Sequence, residues 1–144
     1  MKRRFSSIPS RIQNKLLING KFVAGSTGKT FKTYNPADES VISEVHEASE
    51  QDVNNAVAAA RKAFDHGPWR KTSGRERGVL MHKLADLIEK NIDELSTLEA
   101  LDNGKTFTTA KTVDFPLVIR QLRYDAGWAD KAMGQVVPID GPYL

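Results

Sequence analysis

Three stretches of this sequence carry residue types that could do chemistry. The first is Leu98-Glu99-Ala100-Leu101-Asp102-Asn103-Gly104-Lys105. Leu95, Leu98 and Leu101 recur at helical spacing, and Asn103-Gly104 supplies a stop, because both residues tolerate the left-handed backbone that ends a helix. Asp102 then sits in the last turn, against the negative end of the helix dipole, which costs about a few tenths of a kcal/mol. A bound cation or a capping hydrogen bond would compensate; a solvated carboxylate is the plain alternative. The second stretch, Gly25-Ser26-Thr27-Gly28-Lys29-Thr30, invites comparison with a phosphate loop. That pattern needs Gly at position 23, where Val23 stands, and a helix after Lys-Thr, whereas Phe31 to Pro36 reads as extended. A polar turn accounts for it. The third is His46, with no Cys, Asp or second His at ligand spacing, so no metal role follows. The 144 residues include no cysteine, which removes disulfides, zinc-thiolate sites and a thiol nucleophile together. No G-x-G-x-x-G turn completes a nucleotide site. Ser, His and Asp all occur, but no pattern places them as a triad. This sequence therefore holds no complete active site.

The elements that must position these residues read as follows. Leu16-Leu17-Ile18 and Lys21-Phe22-Val23 flank Asn19-Gly20, a hairpin with a type I′ turn. Thr33-Tyr34-Asn35-Pro36 closes a second extended piece, since a residue before proline is pushed away from the helical region. Val41 to Val45 is another short strand. Ser49 with Asp52 starts a helix whose Val53, Ala56, Val57, Ala60 and Phe64 share one apolar face. Gly67-Pro68 ends it, and Trp69 is expected to plug the core. Ser73 with Glu76 is a full capping box for a second helix, with Leu80, Leu84, Leu87 and Ile88 as its expected buried face and His82 solvated. Asn91 with Glu94 is expected to cap a third helix carrying Ile92, Leu95, Leu98 and Leu101. A fourth covers Val113 to Met133, with Pro116 starting or kinking it. It shows two apolar stripes: Val118, Leu122, Ala129 and Met133 on one side, Leu117, Tyr124 and Trp128 on the other. A helix apolar on two sides expects partners on two sides, and three shorter helices do not obviously cover both. Gly134 is its expected stop, and Gln135 to Asp140 reads as extended.

Composition is that of an ordinary globular chain, 40% hydrophobic and 27% charged. No apolar run approaches the ~20 residues of a membrane helix. The net charge of +3 hides an asymmetry. The first 37 residues hold eight Lys or Arg and no acid, leaving 13 basic against 18 acidic residues in the remainder. The body is acidic, so neither a nucleic-acid face nor a membrane surface is indicated. Met1 to Gln13 is rich in Arg and Ser and free of acid, the composition of a mitochondrial transit peptide, although it is short and Pro9 interrupts any helix. A disordered basic tail on a cytoplasmic protein is the alternative.

Several motifs in order carry a resemblance. Leu98-Glu99-x-Leu101-Asp102-Asn103-Gly104-Lys105 is followed by Leu122-Arg123-Tyr124 and Ala126-Gly127-Trp128-Ala129-Asp130-Lys131. Thr30-Phe31, Thr33-Tyr34-Asn35-Pro36 and Leu84-Ala85-Asp86-Leu87-Ile88-Glu89 precede it. Together they resemble the N-terminal part of the NAD(P)-dependent aldehyde dehydrogenases, from about Leu16 to Asp140. The resemblance implies an α/β fold: a mainly helical fragment with short strands and a β-hairpin, from a Rossmann-like enzyme whose sheet is incomplete here. It divides the chain into a leader or tail over 1–14 and a truncated dehydrogenase portion over 15–144. The family's parent enzyme oxidises aldehydes to acids with NAD or NADP through a Cys thiohemiacetal, and is a homo-oligomer. Its Cys, its water-activating Glu, its oxyanion-hole Asn and its cofactor-binding residues lie beyond Leu144, so this chain is expected to be inactive alone. Two lesser features carry over. A monovalent-cation site, for Na+ or K+, would use backbone carbonyls of Thr33 and Tyr34 with Asp102, another family ligand coming from later in the chain. Val113 and Leu117 match positions that line the aldehyde entrance tunnel, although ordinary core residues would look the same. The alternative function is a catalytically dead short protein that binds a full-length homologue. Which aldehyde is used is not legible, because its determinants lie downstream.

Overall fold

The computed structural model describes residues 12–135. The expected leader and the extended 136–140 piece lie largely or wholly outside that range. Two antiparallel strand pairs come first. β1 (Leu16–Ile18) pairs with β2 (Lys21–Val23), and β3 (Thr30–Tyr34) with β4 (Val41–His46). Asn19 (φ 51°) and Gly20 (φ 73°) both adopt positive φ, as a type I′ turn requires. The pairs are stitched together by Asn14, whose Nδ2 donates to Glu44 O (2.7 Å) and whose carbonyl accepts from His46 N (3.0 Å). Helices follow: α1 (Glu50–His66), a 3-10 turn (Pro68–Lys71), α2 (Gly74–Lys90) and α3 (Ile92–Asn103). A single turn, α4 (Phe107–Thr109), runs through a π turn (Ala110–Asp114) into α5 (Phe115–Trp128).

Asp52 fixes the strands to the helices. It is 5% exposed. Its Oδ2 accepts from Ser49 N (2.9 Å) and Ser26 N (3.0 Å) and from both serine hydroxyls (2.9 Å each). The capping box thus reaches beyond its own helix and ties the Gly25–Thr30 turn to the N-terminus of α1. That turn is polar, as expected, closed by Gly28 N on Gly25 O (3.0 Å). The Ser49 and then the Ser26 backbone N–H groups outweigh desolvation and pull the Asp52 carboxyl down to about 2.

The hydrophobic pattern identifies the helices and the inward side of α3, where Leu101 is buried and Ile92, Leu95 and Leu98 are half-buried, but misplaces the buried sides of the others. α2 packs on α5 through small residues. A Cβ on Gly74 would lie 2.4 Å from Ala129 O, and one on Gly78 would lie 2.7 Å from Ala126 O. Ala85, Ile119 and Ala126 complete this contact as buried residues. Backbones this close leave no room between them for leucines. Leu80, Leu84 and Leu87 therefore stand about half exposed on the far side of α2, contrary to the expected buried face. On α1, Val53, Val57 and Phe64 are exposed, since among the described residues no element covers that face. Trp69 is not a plug: its ring is 47% exposed beneath the Arg77 guanidinium, 5.0 Å away, and its carbonyl accepts from Arg77 Nη2 (3.0 Å).

The helix ends also differ in places. Asn91 does not cap α3 with its side chain. One residue separates α2 from α3, and its Nδ2 donates back to Leu87 O (2.7 Å), closing α2 instead. The last helical run begins at Phe107 rather than Val113, because Thr106 caps it, its Oγ1 accepting from Thr109 N (3.2 Å). It ends at Trp128 rather than Met133, where Lys131 takes the final carbonyls: its Nζ reaches Gly127 O (2.6 Å) and its N–H reaches Trp128 O (2.9 Å). Of the two stripes expected on it, Leu122 is half-buried, while Val118, Met133, Leu117, Tyr124 and Trp128 are exposed. The actual contact is made by Ala129, from the first stripe, with Ile119 and Ala126, absent from both.

The exposed apolar faces show in the total surface. A compact 16.0 kDa monomer exposes ~7,400 Å²; this chain exposes 11839 Å². Counting the 20 residues outside the description as fully extended removes at most ~3,200 Å², which still leaves ~2,000 Å² above the expectation for the rest.

Two predictions follow from these contacts. Gly78→Ala gains up to ~1 kcal/mol of helix propensity but drives a methyl against the Ala126 carbonyl, for a net loss of ~1–2 kcal/mol. Gly127→Ala, where a Cβ meets nothing within 4 Å, should instead gain ~0.5–1 kcal/mol. Urea midpoints of the two variants should move in opposite directions; equal shifts would refute the close approach of α2 and α5. For Asp52, the folded carboxyl lies below its unfolded value of 3.8. Its contribution is complete above about pH 4 and is lost as the pH falls towards about 2. Melting temperatures between pH 4 and 2 should fall more steeply for the wild type than for Asp52→Asn, and parallel curves would refute the role.

Candidate functional site

Gly104 ends α3 in the left-handed region (φ 80°), its N–H on Ala100 O (3.1 Å). A Cβ there would stand 2.7 Å from Pro36 Cγ, so the end of α3 rests on the proline that follows β3. This approach brings Thr33 and Asp102 into the walls of one open cleft of about 380 Å³. Ser43 and Glu99 share those walls, with Leu95, Leu98 and Phe115 as apolar neighbours.

The donor chemistry of the cleft is specific. Thr33 Oγ1 donates to Ser43 O (3.4 Å), so its hydroxyl is committed to the neighbouring strand. Asp102 is exposed, and among the described residues no ion pair or hydrogen bond engages its carboxylate. Glu99, one turn earlier, is held by Lys105 Nζ at 2.9 Å. Asp102 is thus an uncommitted carboxylate in the wall of this cleft. A calcium ion, taking 6–8 oxygens with several carboxylates, would be underserved. Among the described residues no group of three His, Cys, Asp or Glu is placed to hold a metal ion. Tyr34 directly follows Thr33 at the end of β3, where the cation reading uses its backbone carbonyl and not its side chain. It sits at the register shift between Thr33 and Tyr34, its side chain is 54% exposed, and it does not line the cleft. His46 serves the fold, its Nδ1 accepting from Gly25 N (3.4 Å).

Val113 and Leu117 occupy one exposed side of the last helical run, at 48% and 49% exposure. Val113 lies inside the π turn and Leu117 just past it. The Phe115 N–H bonds back five residues to Ala110 O, and Pro116 has no N–H with which to resume the ladder at Thr112. Leu117 also borders a shallow hollow of about 520 Å³ with Val118, Arg120, Gln121 and Tyr124.

Sequence reasoning gave no role to Lys105, which joins these two regions. Its Nζ contacts Glu99 Oε1 (2.9 Å) in the cleft wall and Asp114 Oδ2 (2.7 Å) in the π turn. Asp114, then Glu99, hold the ammonium above its usual range. The partners lie six and nine residues away, across a left-handed break and a π turn, so no helical spacing announces them.

Comparisons agree with this architecture. The model of the aldehyde dehydrogenase family matches residues 22–143. A mitochondrial benzaldehyde dehydrogenase from Antirrhinum majus is 51% identical over 130 residues, which is 90% of this chain and 24% of that protein. An aldehyde dehydrogenase from Emericella nidulans is 58% identical over 122 residues, 85% of this chain and 24% of that protein. The NAD+ complex of an aldehyde dehydrogenase from Bacillus cereus superposes with a TM-score of 0.84 at 51% identity, covering 88% of this chain and 26% of that one. The chain spans about a quarter of the length of the curated relatives it matches. Its short strand pairs and helices are thus an incomplete share of a Rossmann-like fold, and the chain belongs to the aldehyde dehydrogenase family.

Proposed function

We propose that this chain forms the N-terminal quarter of an NAD-dependent aldehyde dehydrogenase and shapes its aldehyde approach without supplying the chemistry. The observation that carries this reading is the 51% identity and 0.84 TM-score to a dehydrogenase bound to NAD+, over 88% of the chain. NAD, when bound, accepts the hydride from the aldehyde carbon. The thiolate that attacks the aldehyde and the residues that hold NAD must come from outside these 144 residues, which contain no Cys and no dinucleotide fingerprint. What this chain contributes is apolar wall: Val113 and Leu117 face the aldehyde, and the exposed sides of α1, α2 and α5 are covered by the rest of the enzyme. The basic leader supports a mitochondrial matrix location. Relatives point both ways, one named mitochondrial and another, from Elephantulus edwardii, named cytosolic. Homo-oligomeric assembly and the use of NADP as an alternative cofactor belong to the same reading.

A chimera tests it. Residues 22–135 should replace the matching segment of the Bacillus cereus enzyme with NAD-dependent aldehyde oxidation retained within tenfold, read at the reduced-nicotinamide band. The 144-residue chain alone should give no rise above a protein-free control. A folded but inactive chimera refutes the proposal. If the chain instead docks on the intact Bacillus enzyme and alters its turnover, the reading as a non-catalytic binding partner replaces it.

Thr33, Tyr34 and Asp102 form a Na+ or K+ site in this reading, Thr33 and Tyr34 through their carbonyls. Adding K+ at constant ionic strength should raise the melting temperature of the wild-type chain and leave Asp102→Asn unmoved. Equal responses would remove the cation from the cleft.

A further inference from the structure

We propose that Lys105 is a positioning residue for aldehyde selection: it holds the π turn open and so fixes where Val113 and Leu117 point. The proposal rests on the reading of that face as the aldehyde approach. Three observations carry it. First, the π turn is an extra residue in a helical run. Removing it would rotate everything beyond by about 100°, one residue's share of a 3.6-residue turn. Val113 lies inside the turn and Leu117 just past it, so their relative direction is set there. Second, Pro116 accounts for the break but does not decide its shape. It deletes one bond to the carbonyl four residues back, and a proline at that point is also compatible with a simple kink. Something must hold Asp114 where the five-residue bond from Phe115 to Ala110 can form.

Third, Lys105 is placed to do that. Its Nζ bonds Asp114 Oδ2 at 2.7 Å and Glu99 Oε1 at 2.9 Å, and its side chain is 28% exposed. Glu99 belongs to α3, which is fixed in turn by the contact of Gly104 with Pro36. Lys105 therefore anchors the π turn to the strand region through a part of the molecule that does not depend on α5. Lys111 within the turn pairs with Asp93 at the start of α3, a second tie in the same direction. No other ion pair among the described residues engages Asp114.

Two readouts test the proposal separately from the enzyme reading. In the 144-residue chain, hydrogen exchange of the Phe115 amide reports the π bond directly. Lys105→Met should speed exchange there at least tenfold, with the Ile119 and Ala126 amides within twofold of wild type. Lys105→Arg, which can still bridge two carboxylates, should stay near wild type. Unchanged Phe115 exchange in Lys105→Met overturns the proposal. So does equal acceleration along α2 and α5, which would make Lys105 a general stabiliser. In the chimera, Lys105→Met should shift the ratio of KM values for a long and a short aliphatic aldehyde by at least fivefold, with kcat within twofold, and Lys105→Arg should restore the ratio. An unshifted ratio overturns the role in selection. A chimera that is inactive with Lys105 intact overturns the enzyme reading and the selection role together, while the exchange measurement still decides the clamp.

Discussion

The close approach of α2 and α5 governs the rest of this structure. It is built from Gly74, Gly78 and Ala85 on one side and Ile119, Ala126 and Ala129 on the other, with backbone carbonyls where larger side chains would have to sit. Contacts of this kind gain from dispersion and from the exclusion of water, and they admit no bulk. The leucines of α2 and the aromatic residues of α5 are consequently turned outwards. Fully burying a side chain of that size is worth ~1.5–3 kcal/mol, so the outward faces hold stabilisation comparable to the ~5–15 kcal/mol that maintains a whole domain. A fold that spends its small residues on the inner contact and leaves its large ones outside is organised to receive further layers. The surface of 11839 Å² and the family match over about a quarter of a dehydrogenase describe the same condition from two directions.

Ion pairs refine this arrangement without carrying it. Arg123 on α5 reaches Asp86 (3.0 Å) and Glu89 (2.6 Å) on α2, and Lys105 joins α3 to the π turn. These groups are partly wet, and exposed pairs contribute little to net stability. Their value lies in direction, since a charge caught between two carboxylates resists rotation of the helix that bears it. Asp52 serves the strand region in the same way, its four donors deciding where the Gly25–Thr30 turn sits on α1.

Local backbone chemistry was legible in the sequence. The Asn19-Gly20 turn, the Ser49 and Ser73 capping boxes and the Gly104 stop each depend on a few adjacent residues, and each formed where those residues stand. Thr106 was overlooked because no acid or amide three residues later completes a box. The buried face was legible on α3, where Leu101 is buried and Ile92, Leu95 and Leu98 are half-buried, but not on α1, α2 or α5. A hydrophobic stripe marks where a partner would be welcome, and the glycine and alanine side of α2 carries no such mark. Of the candidate site, Thr33 and Asp102 share a cleft although 69 residues separate them, a meeting made by the approach of Gly104 to Pro36. Pro116 announced a break, but the length of the turn before it depends on Lys105 and Asp114, which are joined only in three dimensions.

The division of labour in the proposed enzyme follows from these limits. Thiolate attack and hydride transfer demand a nucleophile and a cofactor cradle held to fractions of an ångström, and this sequence has neither a cysteine nor a dinucleotide turn. It does have a rigid inner contact, apolar faces open to cover, and one helical face whose direction is set by a lysine between two acids. Parts of that kind can shape an approach to a reacting centre and exclude water from it, and a displacement of a single residue in the π turn would redirect the wall they form. In the proposed enzyme, selection among aldehydes is then tuned in this quarter of the fold, at positions such as Lys105 and Asp114, without touching the groups that do the chemistry.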